Sequence, residues 1–478
     1  MINLVLLFPI LACIIIAIFR KSFLNNLMLN IYAVIHFIIS LFATLNIDLL
    51  PFWKTCSFFS ITNRNIIFLL VMSIVFLAVA IYNNGYVKDE TVSPRKLRHY
   101  TYMVLFFVLS MTGAILSTNL GVSWVFIEGT TLASAYLIYF HKTKHSIEAA
   151  WKYVFICSIG IALAFVGIIL LTFATGNLNS LYFNDLYENA KLFNPFWLKL
   201  SFVFILFGIG TKMGLAPVHF WLPDAHAQAP SPISALLSAT LLNSAFLMIM
   251  NVFAIMISAN CDSYARIMML AMGFLSLFIT AVFVYHINNY KRMLAYSSIE
   301  NMGILIIGLA LGGVGAIASI IHLIGHSFIK ASFFLTSGNI LKLYSTKKIK
   351  SVTRLLDLDN KTGWLWIVSL IGIVAIPPSL LFISEFMIIK DLILKNKIAL
   401  VILFVLFLTI ILYGLTKAVL KMSYSISQDE NEKQLPIKKE INWTMYFPQI
   451  VLLVIAFALG LYMPNYLINM IKLTVLGF

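Results

Sequence analysis

The stretch from Gly208 to Asn243, GIGTKMGLAPVHFWLPDAHAQAPSPISALLSATLLN, decides the class of fold. It places Lys212 inside an apolar segment that starts near Leu200, and two prolines, Pro217 and Pro223, follow. A charged side chain at membrane depth costs a few kcal/mol, so it usually faces a bundle interior or a water-filled cavity. Proline breaks the helix that contains it, which a membrane tolerates only where protein or a cavity satisfies the freed backbone groups. A polar loop is expected next, with Asp224, His226 and Gln228, and then a second long apolar segment.

A buried lysine beside a broken helix indicates a site for moving ions. The competing interpretation is that Lys212 snorkels from a helix end and that the prolines mark its boundary. Both interpretations place the segment in a membrane.

Composition supports the same class of protein. The chain has 478 residues, of which 61% are hydrophobic and 11% charged, and its mean hydropathy is +0.96. These values exclude a soluble globular protein and indicate a polytopic membrane protein. The net charge of +15 comes from Lys and Arg residues between apolar segments, so membrane topology explains it better than a nucleic-acid partner. The first segment lacks a basic start and a cleavage site, and is predicted to be a retained helix rather than a signal peptide.

No cofactor is expected in this chain. Its four cysteines are scattered without a CxxC pair, which leaves a disulfide scaffold, a zinc site and an iron–sulfur cluster unsupported. The sequence also has no GxGxxG, P-loop or haem-attachment motif. Any redox chemistry is therefore expected in a partner.

Runs of about 20 apolar residues predict about fourteen membrane spans in an all-α chain. Their expected bounds are 2–19, 27–50, 65–83, 100–118, 119–140, 151–175, 200–222, 229–258, 264–287, 293–312, 314–341, 363–393, 398–424 and 446–468. With the N-terminus outside, about 21 loop Lys and Arg residues lie inside and about 8 outside. The asymmetry predicts both termini on the outer (periplasmic) side of the cell's inner membrane.

Charged residues within the apolar segments are candidates for function. Besides Lys212, the basic ones include Lys330 and Lys417, and the acidic ones are Glu128, Glu300 and Glu385. His322, His326 and Lys330 follow at i, i+4 and i+8, so they line one stripe of a helix. A lone histidine generally satisfies a core hydrogen bond, whereas three titratable groups in a row in a membrane are typical of a proton relay. Lys417 fits either an interfacial anchor or an ion-path residue.

A second broken helix is predicted at 363–393, where Pro377 and Pro378 interrupt the apolar run before Glu385. It lies five spans after the span that contains Lys212, and an interval of five spans inverts the orientation. Two inverted five-helix repeats with broken spans 7 and 12 are therefore predicted. The expected regions are spans 1–3 (1–99), the first repeat with spans 4–8 (100–258), the second repeat with spans 9–13 (264–424), and a cytoplasmic loop with span 14 (425–478).

Three motifs resemble those of a known family. They are KMGLAPVHFWLPDAHAQAPSPISALLSATLLN (212–243), KRMLAYSSIENMG (291–303) and HLIGHSFIKASFFLTSGN (322–339). The chain is similar, over about residues 100 to 425, to the antiporter-like subunits of respiratory complex I, Mrp-type cation/proton antiporters and energy-converting hydrogenases. The resemblance implies fourteen helices with two inverted five-helix repeats.

The resemblance also implies roles for particular residues. Glu128 matches the glutamate of span 5, and Lys212 matches the lysine that forms an ion pair with it. Glu385 matches the terminal ionisable residue of span 12. The relay of the central hydrophilic axis is matched by His322, His326 and Lys330.

One position departs from the family pattern. Asn243 stands where many complex I members have a lysine, and an amide cannot carry a proton charge. The link from Lys212 to the relay is therefore expected to depend on water or on His226.

Two features favour the hydrogenase branch, closest to hydrogenase-4 component F. SSIENMG, with Glu300, is more similar to that branch than to complex I proteins, and the chain ends about ten residues after span 14. The implied function is proton translocation in a redox-driven complex, with other membrane subunits and a peripheral nickel–iron or iron–sulfur module as partners. A self-contained enzyme is not expected. The alternatives are an Mrp-type antiporter subunit, moving Na⁺ as well as protons, and a membrane subunit of an inorganic-carbon uptake complex.

Overall fold

Helices dominate because lipid offers backbone N–H and C=O groups no partner outside the helix itself. The computed structural model describes residues 2–45, 57–87, 93–176, 178–425 and 440–478. Cys56 and most of the predicted cytoplasmic loop after residue 425 lie outside these ranges. The same holds for five lysines of the charge count, namely Lys54, Lys88, Lys433, Lys438 and Lys439.

The all-α architecture with about fourteen spans is confirmed. Thirteen helices within the described ranges are long and apolar enough to cross a membrane, and two shorter ones, α16 and α17, together fill the remaining predicted span, the twelfth, at 363–393. The helices in chain order are α1 (Ile2–Phe19), α2 (Ser22–Thr44), α3 (Ile66–Tyr86), α4 (Pro94–Leu116), α5 (Leu120–Ile138), α6 (Lys144–Thr175), α7 (Phe183–Asn189), α8 (Pro195–Met213), α9 (Trp221–Gln228), α10 (Ser231–Leu236), α11 (Leu242–Ser258), α12 (Asp262–Val284), α13 (Tyr290–Leu311), α14 (Val314–Tyr344), α15 (Leu355–Leu358), α16 (Asn360–Ile373), α17 (Leu380–Leu394), α18 (Ile398–Tyr424), α19 (Phe447–Leu461) and α20 (Asn465–Thr474).

The first break lies between α8 and α9. Gly214 adopts φ +80° and ends α8, since this left-handed conformation suits a residue without a Cβ. The predicted polar loop at Asp224–Gln228 is wrong, because these residues belong to α9. Pro223 lies in the first turn of that helix, where its missing N–H would have no partner in the helix. The seventh span is thus two helices rather than a helix and a loop.

The second break lies between α16 and α17. Pro377 and Pro378 lack the N–H groups that would bond to the carbonyls of Ile373 and Val374, so the helix ends there. The chain resumes at α17, whose N-cap Ser379 accepts from the N–H of Phe382 at 3.2 Å. Both predicted broken spans are confirmed.

The end of the chain differs from its predicted span at 446–468. Pro464 cannot continue a helix, so α19 ends at Leu461 and a separate helix, α20, follows. Thr474 of α20 donates to the carbonyl of Asn63, and Gly313 donates to that of Phe478. The C-terminal end therefore lies at the same face as the loops before α3 and α14.

Corresponding helices pack alike in the two predicted repeats. The first pair, α4 on α5, has its counterpart in α12 on α13, and α6 packs on α8 and α9 as α14 packs on α16 and α17. Over its most apolar 18 residues, α13 is buried at 94% of positions, and α14 and the span from α10 to α11 are each buried at 89%, whereas α18 is buried at 22%. The interior is thus built around these helices, and α18 has a lipid-facing surface.

Glycines set the spacing between α6 and α8. A Cβ on Gly208 would lie 2.5 Å from the backbone nitrogen of Ala164, and one on Gly160 would lie 2.6 Å from Thr211. Small residues of this kind let membrane helices approach closely. The close contact brings the N-terminal half of α6 to the end of α8, where Lys212 lies.

Candidate functional site

Lys212 lies in the last turn of α8 and is fully buried. Its Nζ donates to the hydroxyl of Thr131 on α5 at 2.8 Å and to that of Tyr153 on α6 at 2.7 Å. The tyrosine ring also lies below the ammonium, with Nζ 4.7 Å from its centroid. Tyr153 in turn contacts the hydroxyl of Ser134 at 2.5 Å. Neutral oxygens therefore hold the ammonium in place.

The ion pair implied by the resemblance is indirect. No direct ion pair joins Lys212 to Glu128, both of which are described. Instead, Thr131 donates to Oε2 of Glu128 at 3.1 Å while it accepts from Lys212. Glu128 and Thr131 are three residues apart on one face of α5, and Glu128 is partly exposed at the outside of the bundle. One hydroxyl therefore connects the peripheral carboxylate to the buried ammonium.

The predicted relay residues His322, His326 and Lys330 are all fully buried on one stripe of α14. Lys330 Nζ donates to the carbonyl of Leu294 at 2.6 Å and to the hydroxyl of Ser297. His326 differs, because neither of its ring nitrogens has a hydrogen-bond partner among the described residues. The stripe thus contains one lysine held by α13 and one imidazole that is free to exchange partners.

His322 is held at both ring nitrogens. Nε2 lies 3.0 Å from Oδ1 of Asn301, and Nδ1 lies 2.9 Å from the hydroxyl of Ser384 on α17. The amide nitrogen of Asn301 donates to the carbonyl of Ser297 at 2.5 Å, which fixes the amide orientation, so Nε2 must donate. The Ser384 hydroxyl donates to the carbonyl of Leu381 at 2.8 Å and can then accept from Nδ1 of an imidazolium. If the hydroxyl turns to donate to Nδ1 instead, the same contact accommodates the neutral ring. Through Asn301 and Ser297, α13 connects His322 to Lys330.

Glu300 and Glu385 line one cavity of about 190 Å³ beside the break between α16 and α17. Glu300 is 5% exposed, and its Oε2 has no hydrogen-bond partner among the described residues. Glu385 is partly exposed. Lys212, Lys330 and His322 form a row of titratable side chains between Glu128 and Glu385. Glu300 and Glu385 therefore lie at the end of this row opposite Glu128.

Asn243 lies close to α14, the helix of the predicted relay. Its amide donates to the hydroxyl of Ser327 on α14 at 2.7 Å and to the carbonyl of Ala239 at 2.7 Å. One turn of π-helix (Leu237–Leu241) precedes it, a feature found frequently at functional sites. Asn243 therefore connects α11 to α14 without carrying a proton.

His226 is buried on α9 and stacks on Phe334, with ring centroids 4.8 Å apart. Neither of its ring nitrogens has a partner in the described part of the chain. The ring of Phe334 also lies 5.9 Å from Nζ of Lys330. His226 and Lys330 therefore contact the same ring.

Two lysines that the sequence assigned to loops belong to this region. Lys291 is fully buried and donates to the carbonyl of Ala229 at 2.6 Å, while Lys347 donates to that of Ala227 at 2.7 Å. Both therefore bind the chain at the C-terminal end of α9. The signal that could have located Lys291 is Asn289, which caps α13 and places Lys291 in the first turn.

Lys417 is on the face of α18 that points away from the bundle, and it does not contact Lys212, Lys330 or the histidines of α14. It is exposed, its Nζ donates to the hydroxyl of Tyr285 at 3.1 Å, and the Tyr285 ring lies 4.4 Å from the ammonium. Lysine and tyrosine together are typical of a membrane interface. These contacts favour the anchor interpretation.

The profile of the NADH:quinone oxidoreductase/Mrp antiporter transmembrane family matches residues 117–411. The chain belongs to this family. The match contains the charged residues from Glu128 to Glu385 described above and leaves out Lys417. The chain is therefore an antiporter-like, multi-pass membrane subunit.

Relatives within the family agree with the resemblance to hydrogenase-4 component F. The chain is 31% identical to a Hydrogenase-4 component F homolog of Methylacidiphilum infernorum, over 96% of both chains. It is 30% identical to a Na(+)/H(+) antiporter subunit of Alkalihalophilus pseudofirmus, over 62% of this chain and 60% of that one.

Solved structures of the family share the fold. One chain of the archaeal membrane-bound sulfane sulfur reductase has a TM-score of 0.87 at 22% identity, with 100% of this chain and 97% of that chain covered. A chain of the Mrp complex from Dietzia has a TM-score of 0.86 at 17% identity, with 99% of this chain and 97% of that chain covered. At these identities the comparison concerns the fold alone.

Proposed function

We propose that the chain is the proton-translocating membrane subunit of a redox-driven complex of the membrane-bound hydrogenase or complex I type. It lies in the cell's inner membrane with both termini on the outer side, beside other membrane subunits and a peripheral nickel–iron or iron–sulfur module. The observation that carries this proposal is the Glu128–Thr131–Lys212 arrangement. A fully buried ammonium is connected to a peripheral carboxylate by a single hydroxyl.

Thr131 makes the pair adjustable. When Glu128 is ionised and Thr131 donates to it, the hydroxyl oxygen turns its lone pairs to Lys212 and favours the ammonium. When the carboxylate is protonated or moves away, the buried ammonium loses support and releases its proton. A hydrogen bond to a charged group contributes about 1.5–3 kcal/mol. Moving one charge against 100 mV costs about 2.3 kcal/mol, so one such bond is sufficient to gate a step.

The later steps use α14. Lys330 accepts the proton and His322 passes it on, because the surroundings of His322 accommodate both the neutral and the charged ring. His326 and His226, whose ring nitrogens have no described partners, are positions where water can bind, since an unpartnered buried polar group costs about 1–3 kcal/mol. Glu385 is the terminal group. The regions 1–99, 100–258, 264–424 and 425–478 remain our proposed division of the chain.

The partner is tested by gentle purification from the native membrane and mass spectrometry. Nickel–iron and iron–sulfur subunits are expected in the same complex. Small membrane subunits alone, without metal, would contradict the redox-driven proposal. A matched purification of Glu148→Gln, a change at the exposed Lys152 pair, is expected to recover the same subunits.

A second candidate is an Mrp-type cation/proton antiporter subunit. It is favoured by the 30% identity to the Na(+)/H(+) antiporter protein of Alkalihalophilus pseudofirmus. Proton exchange in vesicles that requires Na⁺ but no electron donor would support it over the first proposal.

A further inference from the structure

A polar cavity of about 350 Å³ lies at the face where the loop before α3 meets the C-terminal end of the chain. The start of α7 and the middle of α11 complete its wall. Side-chain hydroxyls and amides line it, among them those of Ser60, Thr62, Asn63, Asn184 and Asn251. Of the described residues that line the cavity, Arg64 alone is charged. The cavity is therefore built around one positive charge.

The Arg64 side chain is held in position by neutral groups. Its Cζ lies 5.0 Å from the centroid of the Tyr187 ring and 5.3 Å from that of the Phe478 ring. Nη1 donates to the hydroxyl of Tyr187 at 2.6 Å and to Oδ1 of Asn251 at 3.4 Å. Nε and Nη2 have no hydrogen-bond partner in the described part of the chain, so their N–H groups remain available to a ligand.

No carboxylate compensates this charge within the cavity. The described lining contains neither Asp nor Glu. Asp185 directly follows the lining residue Asn184, but its carboxylate accepts a hydrogen bond from the hydroxyl of Ser180. A partly buried guanidinium that only neutral groups contact favours an anionic ligand, because arginine presents a planar fork of donors to such groups.

The donors around Arg64 suit a phosphate group better than a carboxylate. Oδ1 of Asn251 accepts from Arg64 and from Tyr187, which fixes the amide orientation and leaves Nδ2 without a described partner. The side chains of Ser60 and Asn184 likewise have no described hydrogen-bond partner. A carboxylate has two oxygens, which the guanidinium fork alone would bind, whereas a phosphate group has further oxygens for the amides and the hydroxyl.

The size and the apolar part of the wall allow the phosphate to carry a further group. At about 30 Å³ for each water, the cavity has the volume of about ten waters, which exceeds that of a phosphate group alone. Apolar side chains also line it, namely those of Ile115, Leu247, Leu473 and Leu476. Basic pockets between membrane helices bind phospholipid headgroups in this way.

We propose that this cavity binds the phosphate group of a phospholipid headgroup or of inorganic phosphate, through the free N–H groups of Arg64 and the amide of Asn251. The bound phosphate connects the loop before α3 to α11, and so connects the N-terminal helices to the first predicted repeat. The assignment does not depend on the proposed function, because none of the residues proposed to carry protons lines the cavity.

Native mass spectrometry of the purified complex, delipidated in detergent and held in phosphate-free buffer, measures the binding. Three probes are titrated separately: inorganic phosphate, dimyristoyl phosphatidylglycerol, and dimyristoylglycerol, which has the same acyl chains without phosphate. Arg64→Gln is expected to lower the affinity for a phosphate-containing probe about tenfold or more, because it removes the charged donor. Arg64→Lys keeps the charge without the planar fork and is expected to give a smaller loss.

A second variant and a control complete the set. Asn184→Ala removes an exposed lining amide without a described hydrogen-bond partner, so it leaves the fold intact and is expected to weaken binding about two- to tenfold. Arg354→Gln is the matched control, since this exposed arginine pairs with Asp357 and does not line the cavity. It should bind every probe as the wild type does.

The probes distinguish the two sources of phosphate. Binding of phosphatidylglycerol that depends on Arg64 assigns the site to a phospholipid, and binding of inorganic phosphate alone that depends on Arg64 assigns it to the free ion. The proposal is overturned if Arg64→Gln, or Asn184→Ala should the first variant fail to assemble, binds both phosphate probes as the wild type does. Equal binding of dimyristoylglycerol and phosphatidylglycerol would also overturn it. Proton translocation is measured separately, so this site and the proposed function can fail independently.

Discussion

Replacing Thr131 by valine tests the connection between Glu128 and Lys212. Valine keeps the β-branched shape of threonine and removes the hydroxyl that bonds to both charged groups. Lys212 then retains Tyr153 as its hydrogen-bond acceptor, at 2.7 Å. One lost hydrogen bond to a charged group corresponds to about 1.5–3 kcal/mol. That free energy is about a 10- to 100-fold change in the ratio of protonated to neutral Lys212.

The assay is proton translocation by native-membrane vesicles, measured per electron transferred. Thr131→Val is expected to lower this ratio about tenfold or more. In the Glu128→Gln background the same change should add little, because the two residues act through one hydrogen-bond chain.

The matched control is Thr130→Val. The hydroxyl of Thr130 is equally buried but donates to the carbonyl of Ile127 at 2.6 Å, one turn back in its own helix. This variant should translocate protons as the wild type does. Equal losses in the two variants, or no loss in Thr131→Val, would refute the argument that this hydroxyl couples the pair.

Three further predictions concern single side chains. Glu128→Gln is expected to abolish proton translocation while the complex still assembles, as judged by co-purification of its subunits. Loss of that co-purification would indicate that Glu128 has a structural role instead. His322→Leu is expected to lower stability by about 1–3 kcal/mol more than His326→Leu, because only the loss of His322 leaves hydrogen-bond partners unpaired. Thermal unfolding in detergent measures both variants, and equal losses of stability would contradict this prediction. In the loop after α5, burial and then the charges of Lys291, Lys347 and Lys96 lower the pKa of His141 to about 4, so the unfolded chain binds the proton more tightly. Stability should therefore fall as pH drops from about 6.5 to about 4, by as much as about 3 kcal/mol, and His141→Gln should remove this part of the acid-dependent shift in melting temperature; an unchanged shift would contradict it.

The spans were predictable because lipid imposes length and hydropathy directly on each helix. The breaks were predictable because proline lacks the N–H that a helix needs, and lipid supplies no other partner for the freed carbonyls. The helix α9 was not, since its proline and polar residues resemble a loop until the first-turn position of Pro223 is known. The separate helix α20 was missed because its apolar residues continue those of α19 past Pro464.

The candidate site was predictable in its charged residues but not in their connections. Glu128, Lys212 and Lys330 stand out because charges in apolar segments are rare. Thr131, Ser297 and Asn301 do not, since polar uncharged residues are common in membrane helices. Lys291 was assigned to a loop beside Arg292, and only the start of α13 at Tyr290 determines that one is buried and the other exposed.

Coupled proton movement by the reconstituted complex tests the central proposal most directly. The complex purified with this chain is placed in liposomes, and internal pH is recorded while its own electron donor is supplied. We predict proton movement by the wild type and none by Lys330→Met, although the variant still transfers electrons. Methionine keeps the length of the apolar stem while removing the ammonium held by Ser297 and Leu294. Proton movement by Lys330→Met at the wild-type ratio, or none by the wild-type complex, would contradict the proposed mechanism.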